Sequence, residues 1–120
     1  MKHNFKKLNV WHQARKLTVK VYAITKAFPQ NEQYGLSSQM RKAAVSVVSN
    51  IAERSGRDSK KEMAYFLNVA IGSLCEVEAQ IYTALDLNYI RTSDTEAVLR
   101  ELNEIRMNVC SLRKHVLNNP

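Results

Sequence analysis

Ser59-Lys60-Lys61-Glu62, followed by Met63, Leu67, Ala70, Leu74, Val77, Ile81 and Leu85, governs the architecture of this 120-residue chain. The apolar residues alternate steps of three and four, which places them on one face of a helix. Ser59 and Glu62 have the spacing of a capping box, in which the serine accepts a free backbone N–H and the glutamate reaches back. No proline interrupts the run before Leu87, so the spacing predicts a helix over 60–87. Ile71, Cys75 and Tyr82 form a second apolar flank, and such a width calls for neighbours on more than one side.

Outward from that helix, the same periodicity recurs three times. Val10, Leu17, Val21, Ile24 and Phe28, with Ala14 beside them, predict a first helix over 10–27, ended by Phe28-Pro29 because the residue before proline resists helical geometry. Val19 and Tyr22 point away from its main stripe, as does part of Trp11, and apolar residues on the wrong side mark a second contact surface, hence self-association. Leu36, Met40, Ala43, Ala44, Val47, Val48 and Ile51 predict a second helix over 36–54, with Val45 and Ala52 outside its stripe. Ser93-Asp94-Thr95-Glu96 has the form of another capping box, and Val98, Leu102, Ile105, Val109, Leu112 and Val116 predict a last helix over 94–117. Four helices with short connections imply an all-α, up-down-up-down antiparallel four-helix bundle, one domain over 1–120.

Composition agrees. Hydrophobic content of 45% with three glycines and two prolines favours long helices over a sheet. No stretch approaches the ~18 uninterrupted apolar residues of a membrane span. The basic start, Met1-Lys2-His3-Asn4-Phe5-Lys6-Lys7, is followed by no signal-peptide core, so a cytoplasmic protein is expected. Cys75 and Cys110 lie inside helical patterns without metal spacing and read as buried thiols.

Catalytic signals are weak. His3, His12 and His115 are scattered, and none stands in a Glu-x-x-His pair as helical di-iron sites require. No glycine-rich phosphate loop or nucleophile elbow is present. Neither an enzyme, a metal nor a cofactor is expected. Glu78 and Asn50 border apolar faces, where polar groups must be paired. They are expected to fix helix register through interhelical hydrogen bonds, with Arg41 and Arg54 as candidate partners for the carboxylate.

The charge is uneven. Lys2, Lys6, Lys7, Arg15, Lys16, Lys20 and Lys26 face no acid within residues 1–31, while the rest of the chain is balanced. A lysine-rich helix face is commonly just a solvated surface. Here Phe5, Trp11 and Tyr22 are interspersed with the cations, and stacking beside phosphate contacts is how many proteins hold single-stranded RNA. Lys6, Lys7, Arg15, Lys16, Lys20 and Lys26 are therefore the candidate nucleic-acid contacts, through backbone phosphates and without sequence specificity.

A resemblance adds to this. Ser46-Val-Val-Ser-Asn50-Ile-Ala-Glu53, then Gly56-Arg57, Ser59-Lys-Lys-Glu62, Phe66-Leu67 and Gly72-Ser-Leu-Cys-Glu76-Val-Glu78, resembles the bacterial four-helix bundle proteins named after reading frames in 23S ribosomal RNA intervening sequences. Leu8-Asn9-Val10-Trp11 with Ala14, and Gln39 with Arg41, are also similar to that family. Of the polar residues in these segments, Asn50, Glu53, Glu76 and Glu78 are expected to be structural. The resemblance implies a homopentameric ring without established enzymatic activity, and a link to nucleic acid through kinship with basic accessory proteins that assist a reverse transcriptase. One position departs from the family pattern: Arg54 stands where a glycine usually follows Asn-Ile-Ala-Glu. Glycine would let the backbone leave the helix in a left-handed turn; arginine instead lets the second helix run on and leaves the path of the next connection open. The leading reading is a ring-forming RNA-binding protein. The alternative is a protein–protein scaffold, or an accessory subunit of a nucleic-acid enzyme such as a reverse transcriptase, whose basic face meets an acidic protein.

Overall fold

The computed structural model describes residues 4–118 and, among them, four long helices and no strand. They are α1 (Asn9–Lys26), α2 (Leu36–Arg54), α3 (Lys60–Asp86) and α4 (Thr92–Asn118), with short 3-10 turns at Phe5–Lys7 and Gln30–Glu32. Met1, Lys2 and His3, the first part of the basic segment, lie outside the described residues. The bundle is elongated, 48 × 24 × 20 Å. No described helix is long and apolar enough to cross a membrane.

The core follows the stripes. Ala14, Val21, Met40, Ala44, Val47, Ile51, Leu67, Ala70, Leu74, Val77, Ile81, Leu102 and Val109 are fully enclosed. The most extensive contact joins α2 to α3, and α1 meets α4 less extensively than it meets α2. Small residues explain the first: Ser46 Oγ meets Ser73 Oγ at 2.8 Å between α2 and α3. Thr18 Oγ1 donates to Ala44 O at 3.3 Å between α1 and α2. Between α3 and α4, Arg106 donates to Glu78 Oε1 at 2.8 Å and Arg113 to Asn68 Oδ1 at 2.7 Å. Asn108 donates to Gln13 Oε1 at 3.1 Å between α4 and α1.

Helix ends show which local signals operate. Ser59 Oγ accepts the Glu62 N–H at 3.0 Å, so the serine half of that capping box is made. The second box is not: α4 begins at Thr92, two residues before the expected start, and Ser93 lies inside its first turn. Arg91 takes over, because its carbonyl accepts from Thr95 Oγ1 at 2.8 Å and its Nε reaches Asp94 Oδ2 at 3.1 Å. α1 starts at Asn9 and stops at Lys26, with Ala27 as its cap.

α3 ends at Asp86 by a Schellman turn in which Tyr89 N donates to Ala84 O at 2.9 Å and Asn88 N to Leu85 O at 3.0 Å. Asn88 adopts φ 62°, the left-handed region that L side chains occupy at a cost of about 1–2 kcal/mol. Asn88→Val should therefore destabilise the fold by about 1–2 kcal/mol while Asn88→Gly leaves it equal or slightly more stable, as urea unfolding would measure. Equal losses for both substitutions would refute this account of the turn.

Glu32 ties two connections together. Its Oε1 accepts from Leu36 N at 3.2 Å at the start of α2, and its Oε2 accepts from Tyr89 Oη at 2.8 Å. That hydrogen bond, aided by burial and the carboxylate charge, raises the Tyr89 pKa above 10.0. A raised pKa in the folded state stabilises below the unfolded value and loses that contribution as pH climbs through the folded one. Stability should thus fall as pH rises above about 10, and Tyr89→Phe should flatten that limb in a series of denaturation curves from pH 8 to 12. An unchanged limb in the variant would show the bond to be idle.

Several expectations need correction. Cys75 is exposed because it falls with Gly72, Glu76 and Ala79 on the outward face of α3, and Cys110 of α4 is half-buried. Tyr82, assigned to the same second flank, is 50% exposed; Ile71 alone of the three packs against the core. Arg54 does not add a turn to α2. The helix stops at that residue, and Ser55 and Gly56 follow with their N–H groups on Ala52 O and Glu53 O at 3.0 Å.

Candidate nucleic-acid interface

Six residues define the expected interface, and the structure divides them. Lys6 and Lys7 are exposed on the 3-10 turn before α1, which Asn4 caps by accepting from Lys6 N at 3.0 Å. His12 secures this turn by a 2.7 Å contact of Nε2 with Lys6 O. Arg15 lies over the Trp11 ring at 4.8 Å, and Phe5 packs edge-on against the same indole at 4.7 Å. Cation and rings are thus stacked into one surface feature.

Lys16 and Lys20 are elsewhere. Both line a small cleft, of about 100 Å³, that they share with Glu101 and Glu104 of α4, and Lys20 is ion-paired with Glu101. Their field is compensated by the facing acids. Lys26 is exposed at the far end of α1 from Lys6 and Lys7. The α1 face is therefore not a continuous basic stripe.

Cations from other helices complete the picture. Residues 4–15, 50–68 and 110–118 hold nine basic and three acidic side chains, whereas 16–49 and 69–109 hold eight of each. Arg57 stacks over Phe66 at 4.7 Å and is ion-paired with Glu53. Lys60 and Lys61 are exposed in the first turn of α3. Arg113 reaches Asn68 of α3, and Lys114 beside it is exposed. Elsewhere the five cations and one acid of 16–49 are offset by the three cations and seven acids of 69–109, so the uncompensated excess lies in the three segments, of which only the first was read from the sequence.

The polar residues expected to be structural behave differently from one another. Glu78 pairs with Arg106 rather than Arg41 or Arg54, an i-to-α4 link that holds Arg106 firmly protonated through the hydrogen bond and charge of Glu78, against the opposing effect of burial. Arg41 is occupied by Thr25 Oγ1 at 2.8 Å and by the Tyr22 ring at 4.7 Å. Asn50 does not cross between helices. It donates to Ser46 O at 2.8 Å and Ser46 Oγ at 3.0 Å, and it is Ser46 that meets α3. Glu53 holds Arg57, and Glu76 is exposed on the outer side of α3. Arg54, by contrast, is buried, and burial alone lowers its pKa.

A second surface lies on α1 and α2. Val19, Tyr22 and Val45 are 70%, 44% and 41% exposed. Tyr22 and Val45, with Tyr34 and Arg41, line an open cleft of about 610 Å³. Among the described residues, no group of three or more His, Cys, Asp or Glu side chains could hold a metal ion.

No curated protein matches the sequence. A solved structure of a protein of unknown function from the S23 ribosomal protein family of Bacteroides thetaiotaomicron VPI-5482 superimposes with a TM-score of 0.81 at 21% identity, covering 88% of this chain and 95% of that one. That likeness establishes the fold. The family model described as 23S rRNA-intervening sequence protein matches residues 6–110, through all four helices and the motifs between Ser46 and Glu78, and the chain belongs to that family.

Proposed function

We propose that this protein is a non-enzymatic, cytoplasmic, ring-forming bundle that binds RNA through phosphate contacts at one end. The observation that carries the reading is the segregation of charge, nine cations against three anions in three segments and an even balance in the remainder. Cross-helix contacts support an up-down-up-down arrangement, since partners pair in opposing order: Thr18 with Ala44 and Thr25 with Arg41, Asn68 with Arg113 and Glu78 with Arg106, Gln13 with Asn108 and Lys20 with Glu101. In that arrangement the start of α1, the α2–α3 turn and the last turns of α4 form one basic end. Lys6, Lys7 and Arg15 belong to it, joined by Arg57, Lys60, Lys61, Arg113 and Lys114. Phe5, Trp11 and Phe66 supply rings beside the cations, the combination used to hold unpaired bases. Lys26 contributes at longer range, while Lys16 and Lys20 are offset by Glu101 and Glu104.

The apolar surface of Val19, Tyr22 and Val45 suits a second copy, and a closed ring of five copies would set five basic ends on one assembly. Such a field draws in polyanions and makes affinity steeply salt-dependent. The test is a salt titration of binding to single-stranded RNA, duplex RNA and duplex DNA, with the mass read by light scattering. Submicromolar binding that weakens steeply with salt, by an assembly of five 13.7 kDa chains, supports the reading. No binding at low salt overturns it and reassigns the basic end to an acidic protein, the scaffold alternative.

A further inference from the structure

The turn between α2 and α3 encloses polar atoms that no group among the described residues pairs. Arg54 is 4% exposed and Ser55 2%. Arg54 Nε and Nη1, Ser55 Oγ and Arg57 Nε are all shut from solvent, and none of them has a hydrogen-bond partner among the described residues. Buried polar groups are paired in the great majority of folded proteins, so a set of orphans within four residues asks for a missing partner. Three of the four atoms are obligate donors on cations, and the fourth is a hydroxyl. The missing group is therefore an acceptor, and an anionic one.

None of these four atoms is hydrogen-bonded to a carboxylate among the described residues. Glu53 is committed to Arg57, and burial is the only influence on the Arg54 pKa, with no carboxylate pulling the other way. Asp58 and then Lys60 and Lys61 follow, a net positive run, and both lysines are exposed at the start of α3, where the helix dipole favours an anion. Ser59 satisfies the Glu62 amide, which leaves the Lys60 and Lys61 amides without an acceptor inside the helix.

We propose that the α2–α3 turn is a binding site for a phosphomonoester, held by the Arg54 guanidinium and the Ser55 hydroxyl. The Arg54 guanidinium and a helix N-terminus flanked by Lys60 and Lys61 suit a dianion better than a singly charged carboxylate. Enclosure favours a terminal phosphate, which has one attachment, over an internal phosphodiester, which must trail a nucleotide on each side. The end of a phosphorylated RNA and a free phosphate or small phosphoester share this chemistry. Only the first of these sources rests on the RNA reading above.

The test uses the full chain and inorganic phosphate, with chloride at equal ionic strength as reference. Saturating phosphate should raise the melting midpoint by roughly 3–6 °C, as ligand binding to the folded state requires. Arg54→Met should abolish the rise, and Ser55→Ala should reduce it; titration calorimetry with phosphate on the Ser55→Ala protein decides the matter if Arg54→Met does not fold. No rise in the parent protein, or an equal rise in Arg54→Met, overturns the proposal. Two single-stranded RNAs of one sequence, with 5′-phosphate or 5′-hydroxyl ends, then separate the sources. A tenfold preference for the phosphorylated end that vanishes in Arg54→Met places an RNA terminus in the site; equal affinities with the phosphate response intact assign it to a free phosphate or small phosphoester. Binding of the 5′-hydroxyl RNA judges the broader reading on its own. Its absence alongside an intact phosphate response removes RNA and leaves this site, and the converse removes this site alone.

Discussion

Lys60→Glu with Lys61→Glu should lower the affinity for single-stranded RNA by about 10–100-fold at 50 mM salt and flatten the salt slope by about 1.4. The slope follows from two lost phosphate contacts at about 0.7 each on a single strand. Affinity falls further than contact loss alone would give, because each substitution replaces attraction with repulsion. The fold should survive. Both residues are exposed in the first turn of α3, where acidic side chains complement the helix dipole. Lys26→Glu with Arg100→Glu is the matched control: it makes the same change in net charge, in the segments where cations and anions are balanced. That pair should shift affinity by less than about threefold, the residue of screened long-range charge. If both pairs weaken binding equally, only net charge matters and the basic end has no special standing. Filter binding or fluorescence anisotropy across 50–300 mM salt would distinguish the outcomes.

How much of this was legible in the residues depends on the range of the interaction. Helix stripes are local, and Met40, Ile51, Leu67, Leu74, Ile81 and Leu102 could be assigned to the core from their spacing alone. Ser59 announced its helix correctly because its capping bond spans three residues. Ser93 presented the same pattern and failed, since Arg91 with Asp94 and Thr95 offered the backbone an earlier start. The proposed charged end is hidden from a reading along the chain. Lys6 and Arg113 are far apart in sequence, and their kinship emerges only when the chain is folded back at its turns. The Glu78 partner was missed for a related reason: Arg106 sits on a different helix, 28 residues away, and nothing in the spacing singles it out among the arginines. The exposure of Cys75 was a misjudged angle, since one step of helical rotation separates it from the buried Leu74.

Arg54→Met should stabilise the protein by about 1–3 kcal/mol in phosphate-free buffer. Replacing a buried charged group by an apolar residue of similar volume is neutral or favourable when the charge is poorly compensated, and here Nε and Nη1 have no partner. Methionine and arginine have nearly equal helix propensity, so the last turn of α2 should not register the change. The gain should shrink in phosphate, because the anion stabilises only the arginine form. Urea unfolding in the two buffers measures both effects, and destabilisation by Arg54→Met in phosphate-free buffer would mean that the guanidinium is satisfied after all. Glycine, the residue that the resemblance led us to expect here, would be a poorer replacement. It would forfeit about 1 kcal/mol of helix propensity relative to arginine and leave the space of an enclosed side chain unfilled, while Ser55 and Gly56 already close the helix without any left-handed residue. The arginine is thus not a passive stand-in for a turn-forming glycine. A side chain that costs stability when empty, placed where its donors have no internal acceptor, has a physical reason to persist only if something anionic completes it.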